Sequence, residues 1–416
     1  MEVRPGYRQT DVGIIPEEWN VVEAFDLDPF ITSGSRGWAK YYSDRGSLFM
    51  RITNLSRDCI HPDLTDQKFV DLPENDTEGL RTALQDGDIL VSITADIGII
   101  GYINRDVPKP AYINQHIACL RLTPEKADPL FQSYYLASYV PQKLFREMTD
   151  VGAKTGINLT TVGKLKLLCP PLPEQRAIAA ALSDVDALLD GLDQLIAKKR
   201  DLKQAAMQQL LTGQIRLPGF QGEWEVKRLG EVADIDPENL TSDTRPDFSF
   251  NYIALEDVDR GTLRSHTELV FAVAPSRARR KLRPGDLLVS TVRPNLKSHL
   301  LFAGGPGNWI CSTGFCVVRS RQDVTSPPYL IAHLFASCVS RQIEALLTGS
   351  NYPAINSRDV SALEIPIPPF AEQSAIAAVL SDMDKELAAL ELQREKTRAI
   401  KHAMMQELLT GKTRLV

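Results

Sequence analysis

Basic, aromatic and amide side chains are grouped in two parts of this chain, where they could contact an anionic polymer. Arginine and lysine neutralise phosphates, while arginine, asparagine and glutamine can also read the edges of bases. The grouping predicts two nucleic-acid-binding surfaces, although an ordinary solvated polar face remains the alternative for each. The candidates are Arg36, Trp38, Lys40 and Tyr41 in the first group, and Arg277, Arg279, Arg280, Arg293, Asn295 and Lys297 in the second.

Two polar loops add further candidates at matching places. Residues 152–158 and 349–356 each precede a helical segment, and their sequences differ. Loops of this kind suit two domains that recognise different short sequences, and ordinary turns are the alternative. The candidate contacts there are Lys154, Thr155, Asn158, Asn351, Tyr352 and Asn356.

Catalytic motifs are missing from the sequence. The Thr-Gly-Lys-Thr stretch at 410–413 follows a helical pattern and lacks the first glycine of a phosphate-binding loop. Ile367 precedes Pro368 and Pro369 where a base-flipping adenine methyltransferase would need a polar residue. The six histidines are scattered, and the six cysteines form no Cys-x-x-Cys pair. We therefore predict reduced thiols and no catalytic centre, metal site or cofactor in this chain.

Length, composition and net charge limit the number of domains and the classes of protein that this chain can belong to. The chain has 416 residues, of which 43% are hydrophobic, and a net charge of −6. This length allows two to three domains, and the acidic balance excludes a uniformly basic nucleic-acid coat. Neither a transmembrane run nor the apolar part of a signal peptide is present, so we expect a cytoplasmic protein without membrane association.

The sequence repeats itself at an offset of 198 residues. Residues 170–217 align without a gap with residues 368–415, and 26 of these 48 positions are identical. The strand-like segment 87–92 matches 285–290 at the same offset. Arg-Leu-Pro-Gly-Phe precedes Trp224, as Arg414-Leu415 and then Arg4-Pro5-Gly6-Tyr7 would precede Trp19. The pattern predicts a pseudo-twofold molecule whose C-terminal residues lie near its N-terminal ones.

Each repeated segment is predicted to be one long helix with a narrow apolar seam. Two such helices most simply form an antiparallel coiled coil, and the alternative is a core helix in each domain. Later in the second helix the seam is expected to resume at Ile400 and Leu408, after the polar Arg394 and Thr397. The seam residues are Ile178, Leu182, Val185, Leu189, Leu192 and Ile196 in the first helix, and Ile376, Leu380, Met383, Leu387 and Leu390 in the second.

The fold is therefore predicted to be α+β, with two mixed α/β domains in tandem and two long helices between them. Domains are expected at 1–168 and 214–366, with helical spacers at 169–213 and 367–416. Apolar runs at 88–94, 117–122, 286–292 and 315–318 predict strands, and 129–148 and 328–347 predict helices.

The duplicated Pro-Pro-x-x-Glu-Gln-x-Ala-Ile helices, their Leu-Leu-Thr-Gly ends and the Gly-Asp-(Ile/Leu)-Leu-Val-Ser strands resemble the DNA-specificity subunit of type I restriction–modification systems. The resemblance covers essentially the whole chain. It implies a non-catalytic subunit in which each globular target-recognition domain reads one half of a bipartite site in double-stranded DNA. It also implies that the helix pair sets the gap and docks two methyltransferase subunits, which use S-adenosylmethionine to methylate adenine. Restriction–translocase subunits would complete the complex.

Three alternatives remain at the level of sequence. The chain could serve a methylation-only complex of the same kind, which its own residues cannot distinguish. It could be a coiled-coil scaffold that joins two protein-binding domains without contacting DNA. It could also be a self-contained DNA methyltransferase, which the missing motifs disfavour.

Overall fold

The computed structural model describes residues 4–34, 36–73, 77–150, 156–347 and 353–415. They form two compact units: unit 1 is Met1–Asp193 with Leu392–Val416, and unit 2 is Gln194–Glu391. Each unit contains one globular domain with both strands and helices, so the predicted α+β class is confirmed. Among the described residues, no helix combines the length and apolar character needed to cross a bilayer.

The globular domain of unit 1 contains two four-stranded sheets. One has the antiparallel order β4-β11-β8-β9; the other has the order β10-β6-β7-β5, in which β10 and β6 are parallel. The strands are β1 (Tyr7–Thr10), β2 (Gly13–Pro16), β3 (Asn20–Glu23), β4 (Phe30–Ser33), β5 (Tyr42–Ser43), β6 (Ser47–Met50), β7 (Phe69–Val70), β8 (Ile89–Ser92), β9 (Ile100–Tyr102), β10 (Ala111–Ile113), β11 (Ile117–Arg121) and β12 (Lys166–Cys169). The helices are α1 (Thr77–Thr82), α2 (Pro129–Ala137), α3 (Tyr139–Asp150), α4 (Leu159–Gly163) and the first long helix, α5 (Leu172–Leu211).

The globular domain of unit 2 repeats this plan. Its antiparallel sheet has the order β14-β23-β20-β21, and its second sheet has the order β18-β15-β22-β19 with β15 and β22 parallel. The strands are β13 (Glu225–Arg228), β14 (Ala233–Ile235), β15 (Ser249–Ile253), β16 (Val258–Asp259), β17 (Thr262–Leu263), β18 (Thr267–Val270), β19 (Ala278–Lys281), β20 (Leu287–Ser290), β21 (Leu300–Leu301), β22 (Trp309–Ser312), β23 (Phe315–Ser320) and β24 (Glu364–Ile367). The helices are α6 (Leu229–Val232), α7 (Pro327–Phe335), α8 (Ser337–Leu346), α9 (Ser357–Ala362) and the second long helix, α10 (Phe370–Leu408).

The sequence repeat is also a repeat of backbone elements. Strands β8 and β20 begin 198 residues apart, and so do helices α2 and α7 and the two long helices. The four predicted strands are present as β8, β11, β20 and β23. The two predicted helices at 129–148 and 328–347 are each broken into two, because Ser138 and Ala336 adopt an extended conformation.

Strand β8 is buried on both faces, which explains its continuous apolar sequence. Ile89 and Val91 pack in a cluster with Phe131 of α2, whereas Leu90 packs in a second cluster with Ile117. Successive side chains of a strand point to opposite faces, so one strand joins two cores. Strand β20 does the same, since Leu287 and Leu288 belong to different clusters.

A two-stranded neck connects each globular domain to a long helix. In unit 1, β3 leads into the domain and pairs antiparallel with β12, which leads out of it and on to α5. In unit 2, β13 and β24 pair in the same way just before α10. The chain therefore enters and leaves each domain through adjacent, hydrogen-bonded strands.

The two long helices pack antiparallel within each unit, as predicted. In unit 1, Lys401 Nζ lies 2.5 Å from Asp186 Oδ1, and Arg394 Nη1 lies 3.1 Å from Asp193 Oδ1. Residue numbers therefore rise along one helix as they fall along the other. Unit 2 follows the same order through the pairs Lys199–Glu386 and Lys203–Asp384. The boundary between the compact units therefore falls inside each long helix, after Asp193 in α5 and after Glu391 in α10. The sequence-based division assigned each helix as a whole to a separate spacer.

The residues of the predicted seam are at least half-buried. Ile178, Leu182, Leu192, Ile196, Ile376, Leu380 and Leu387 are buried, and Val185, Leu189, Met383 and Leu390 are half-buried. Beyond Leu390 the spacing of four and three continues through Arg394, Thr397 and Lys401. The expectation for Ile400 is wrong: its side chain is 56% exposed, because Lys401 occupies the seam position beside it.

A buried glutamate fixes the start of each long helix to a tryptophan and an arginine. In unit 2, Glu372 is fully buried and accepts hydrogen bonds from Trp224 Nε1 at 3.1 Å and from Arg216 at 2.6 and 2.7 Å. In unit 1, Glu174 accepts from Trp19 Nε1 and Arg414 in the same way. Arg414 near the C-terminus and Trp19 near the N-terminus therefore do for unit 1 what Arg216 and Trp224 do for unit 2, as the repeat predicted.

The glutamine of the repeated motif ties each helix to its globular domain. The side-chain oxygen of Gln175 accepts from the Asp128 backbone N–H at 2.9 Å, next to helix α2. Gln373 accepts from the Ser326 N–H at the same distance, next to α7. The Glu-Gln pair is therefore a structural junction, which accounts for its repetition without any catalytic role.

Candidate nucleic-acid interface

Three loops of unit 1 meet at one end of the β4-β11-β8-β9 sheet. The Ile93 N–H, after β8, donates to the His116 carbonyl at 2.9 Å, just before β11. The Ile157 N–H donates to the Ile93 carbonyl at 2.9 Å. Gly156 has φ +101°, and a Cβ there would lie 2.4 Å from the Ile93 oxygen, so only glycine permits this approach.

Unit 2 brings together the same three loops. The Thr291 N–H donates to the Gly314 carbonyl, and the Ile355 N–H donates to the Thr291 carbonyl, each at 2.9 Å. The Arg293 N–H donates to the Pro353 carbonyl at 2.8 Å. The described parts of both predicted polar loops, 156–158 and 353–356, thus lie beside the loop that follows the central strand.

A left-handed residue shapes the loop after each central strand. Ala95 has φ +62° and Arg293, at the matching position, has φ +49°. Non-glycine residues adopt this conformation uncommonly and at a cost of order 1 kcal/mol, so the loop shape is imposed by the surrounding fold. In unit 2 the side chains of Arg293 and Asn295 in this loop are both exposed.

The other basic residues predicted to bind nucleic acid in unit 2 differ in how far their side chains are free to contact a ligand. Arg277 is exposed, and Arg279 is half-buried with its guanidinium carbon 5.0 Å from the Phe271 ring centre. Arg280 is held in an ion pair with Asp236 at 2.8 Å, with both side chains largely buried. Lys297 is half-buried and donates to the Phe335 carbonyl at 3.2 Å. Arg280 is therefore occupied within the fold, whereas Arg277 faces solvent.

The first predicted group lies beside the β10-β6-β7-β5 sheet of unit 1. Arg36 and Lys40 are exposed, and the Lys40 ammonium lies 4.7 Å from the Tyr41 ring centre. Trp38 is only 3% exposed, because it packs against Phe49 and Tyr112. The expected contact by Trp38 is therefore corrected: its ring supports this surface from beneath.

Two of the three predicted loop asparagines, Asn158 and Asn356, are helix caps. The Asn158 side chain accepts from the Thr161 N–H at 2.8 Å at the start of α4. Asn356 caps α9 by accepting from Arg358 and Asp359 at 2.9 and 3.1 Å. A cap of this kind stabilises a helix by about 1 kcal/mol, so the fold uses these carbonyl oxygens itself. Four further predicted contacts, Lys154, Thr155, Asn351 and Tyr352, lie outside the described residues.

A polar cluster in unit 1 was not singled out from the sequence. The Gln115 Nε2 atom lies 3.1 Å from His116 Nε2, and the Thr94 hydroxyl contacts His116 Nδ1. All three side chains are half-buried at the junction of the loops. The sequence pattern that could have indicated this cluster is the run of hydrogen-bonding residues 114–116 between two apolar strands.

The described histidine, cysteine and acidic side chains were the other candidates for reactive groups. Among the described residues, no group of three or more histidine, cysteine, aspartate or glutamate side chains is placed to hold a metal ion. Burial raises the pKa of the Cys316 thiol to about 12 and that of Cys169 to about 11, which disfavours the reactive thiolate. Burial also lowers the pKa of His299 to about 4 and of His333 to about 3.

The chain is similar over nearly its full length to proteins of one family. A protein named as the type I restriction enzyme MjaX specificity subunit, from Methanocaldococcus jannaschii, is 27% identical and is aligned over 98% of this chain and 97% of its own length. The type I restriction enzyme MjaVIII specificity subunit of the same organism is 23% identical over 96% and 94%.

The fold is also similar to that of a solved type I restriction–modification S subunit from M. genitalium. That structure has a TM-score of 0.60 and 15% identity, and the match covers 98% of both chains. The sequence profile of the type I restriction modification DNA specificity domain matches residues 78–199 and 221–398. These two matches together span well over half of the sequence, and the chain therefore belongs to the type I restriction–modification DNA specificity family.

Proposed function

We propose that this chain is the non-catalytic subunit that selects the DNA sequence, with each globular domain reading one half of a bipartite site. The observation that carries the proposal is the three-loop junction, which occurs once in each unit at matching positions. Its frame is shared, but its side chains differ between the units. One scaffold presenting two side-chain sets suits two different half-sites.

The chemistry of the two junctions is of the kind that reads base pairs. Unit 2 presents Arg293 and Asn295, and arginine and asparagine form bidentate bonds with guanine and adenine respectively. Unit 1 presents neutral hydrogen-bonding groups from Thr94, Gln115 and His116. Exposed Arg36, Lys40 and Arg277 supply positive charge for phosphates.

The helix pair is proposed to set the gap between the half-sites. Helices α5 and α10 contain 40 and 39 residues, which corresponds to about 60 Å at 1.5 Å per residue. Domains that read one face of B-DNA are centred about 34 Å apart, one helical turn. A rigid pair of this length is long enough to hold that separation.

An exposed apolar stripe on the long helices is the proposed docking surface for two methyltransferase subunits. Leu195 and Leu202 on α5, both in unit 2, are 38% and 49% exposed, and each immediately precedes a position of the seam spacing. On α10, Ile400 is 56% exposed at the position that matches Leu202. Heptad spacing outside the seam provides an apolar face for a partner helix. The methyltransferases would supply S-adenosylmethionine, and restriction–translocase subunits would join the resulting complex.

Selection from a library of random DNA duplexes tests the DNA-reading role. The full chain assembled with its host's methyltransferase subunits is expected to enrich a split motif with a fixed gap. Arg293→Ala should relax one half of that motif and leave the other half unchanged, because each junction reads its own half-site. Arg264→Ala, at an exposed ion pair in the same domain, is the control. Failure to enrich any motif would favour the protein-binding scaffold.

Matched substitutions test the docking surface. Leu202→Glu and Ile400→Glu place a charge at equivalent positions, so each is expected to remove one of two bound methyltransferase subunits. The double variant should bind neither. The stoichiometry is measured by native mass spectrometry, with Gln204→Glu, an exposed change on the opposite face of the same helix, as control. Retention of two subunits by both single variants would place the docking surface elsewhere.

A further inference from the structure

We infer that Gln115, oriented by His116 and Thr94, reads an adenine in the half-site recognised by unit 1. This inference rests on the proposed DNA-reading function and deepens it by assigning a base to one residue. It starts from the polar cluster at the three-loop junction, whose hydrogen bonds fix the direction of each group.

The hydrogen-bonding roles within the cluster follow from the side chains involved. The Gln115 amide nitrogen can only donate, so the His116 Nε2 atom, 3.1 Å away, accepts. With Nε2 accepting, the ring proton lies on Nδ1 and is donated to the Thr94 hydroxyl oxygen. Both ring nitrogens are thus satisfied inside the protein.

Gln115 keeps unused groups after this arrangement. Its amide nitrogen has a second N–H, and its side-chain oxygen accepts no hydrogen bond in the described structure. One donor and one adjacent acceptor form the pair that a glutamine uses on adenine N7 and N6 in the major groove. Gln115 therefore presents an adenine-specific edge whose direction is set by His116.

The backbone that carries Gln115 and His116 is held in place by neighbouring groups. The Gln115 amide is therefore preorganised for a base. The His116 N–H donates to the Asn114 side chain at 3.1 Å, and Asn114 itself is only 8% exposed. A Cβ at Gly34 would lie 2.0 Å from the Ile113 oxygen, so the segment that leads to Arg36 passes directly against this loop.

Unit 2 lacks the cluster. The positions that match Gln115 and His116 are Thr313 and Gly314, and that junction carries Arg293 instead. The adenine assignment therefore concerns one half-site only, which gives the experiment an internal reference.

The test is selection from random DNA duplexes by the full chain assembled with its host's methyltransferase subunits. For Gln115→Ala we expect loss of the adenine preference at one position of one half-site, with discrimination against other bases falling about five- to 150-fold. The other half-site and the gap should be unchanged. Gln9→Ala, an exposed change on strand β1, is the matched control.

His116 is a positioning residue, so its variants have a separate signature. His116→Ala should relax the same base position as Gln115→Ala, and His116→Gln, which keeps a donor and an acceptor, should restore part of the preference. A purely structural role would instead weaken binding to all sequences equally. Thermal melting of each variant establishes that it is folded.

The possible outcomes separate the inference from the function on which it rests. If the unsubstituted complex selects a split motif and Gln115→Ala selects the same motif, the adenine assignment is overturned while the proposed function stands. A uniform loss of affinity for all sequences also overturns the assignment. If the unsubstituted complex selects no motif, both are overturned.

Discussion

Arg216→Ala is expected to lower the free energy of unfolding of unit 2 several times more than breaking an exposed ion pair does. The substitution leaves Glu372, which is fully buried, without its bidentate partner and with only Trp224 as donor. An uncompensated buried charge is far more destabilising than the loss of an exposed ion pair. Urea unfolding followed by hydrogen exchange in strands β20 and β23 measures the loss where it occurs.

Two further variants distinguish a charge effect from lost packing. Arg264→Ala breaks an ion pair with Asp259 whose side chains are 63% and 54% exposed, and it should cost less than 1 kcal/mol. Adding Glu372→Gln to Arg216→Ala removes the unpaired charge, so the double variant should be more stable than the single one. Equal stability of the two would show that the charge is not the cause.

Stability of unit 2 is expected to fall steeply below pH 6.5 because of two buried histidines. Burial lowers the pKa of His333 to about 3 and of His299 to about 4, against about 6.5 in the unfolded chain. Between these values only the unfolded state takes up the proton, so acidification favours unfolding. Each histidine contributes a loss of about 1.4 kcal/mol per pH unit, down to its own folded pKa.

His333→Leu tests this directly. Both ring nitrogens of His333 lack a hydrogen-bond partner among the described residues, and its neighbours include Leu330, Leu334 and Val339. Leucine should raise the stability at pH 7 by about 1–3 kcal/mol and remove about 1.4 kcal/mol per pH unit from the slope between pH 6 and 4. His402→Gln, an exposed histidine, is the control. An unchanged slope for His333→Leu would refute the assignment.

Periodic patterns made the architecture readable from the sequence. The seam from Ile178 to Ile196 predicts a helix because a packed stripe repeats every three or four residues. The apolar run in β8 predicts a strand buried on both faces. The exact repeat of Glu174 and Glu372 at one offset also pointed to a common role, although not to the tryptophan and arginine that each one binds.

Residue roles at the interface were much less predictable, because they depend on contacts between distant segments. Trp38 and Asn158 have chemistry suited to DNA, but one is enclosed by Phe49 and Tyr112 and the other is used as a helix cap. Gln115 and His116 become informative only when the Thr94 loop is folded beside them. Ile400 shows the same limit on a helix, where a shift of one residue exchanges buried and exposed faces.

The paired neck strands have a consequence for inheritance. Since β3 and β12 bracket every element from β4 to α4, recombination at these two points can replace everything between them in a single event. The incoming and outgoing strands would still pair. Glu174 would keep its partners Trp19 and Arg414, which lie outside the exchanged segment. Gln175 would keep its bond wherever the new segment has a counterpart of Asp128. Strands β13 and β24 offer the second domain the same route. On the proposed function, such an exchange would give a lineage one new half-site at a time while its helices, and whatever binds them, stayed as they were.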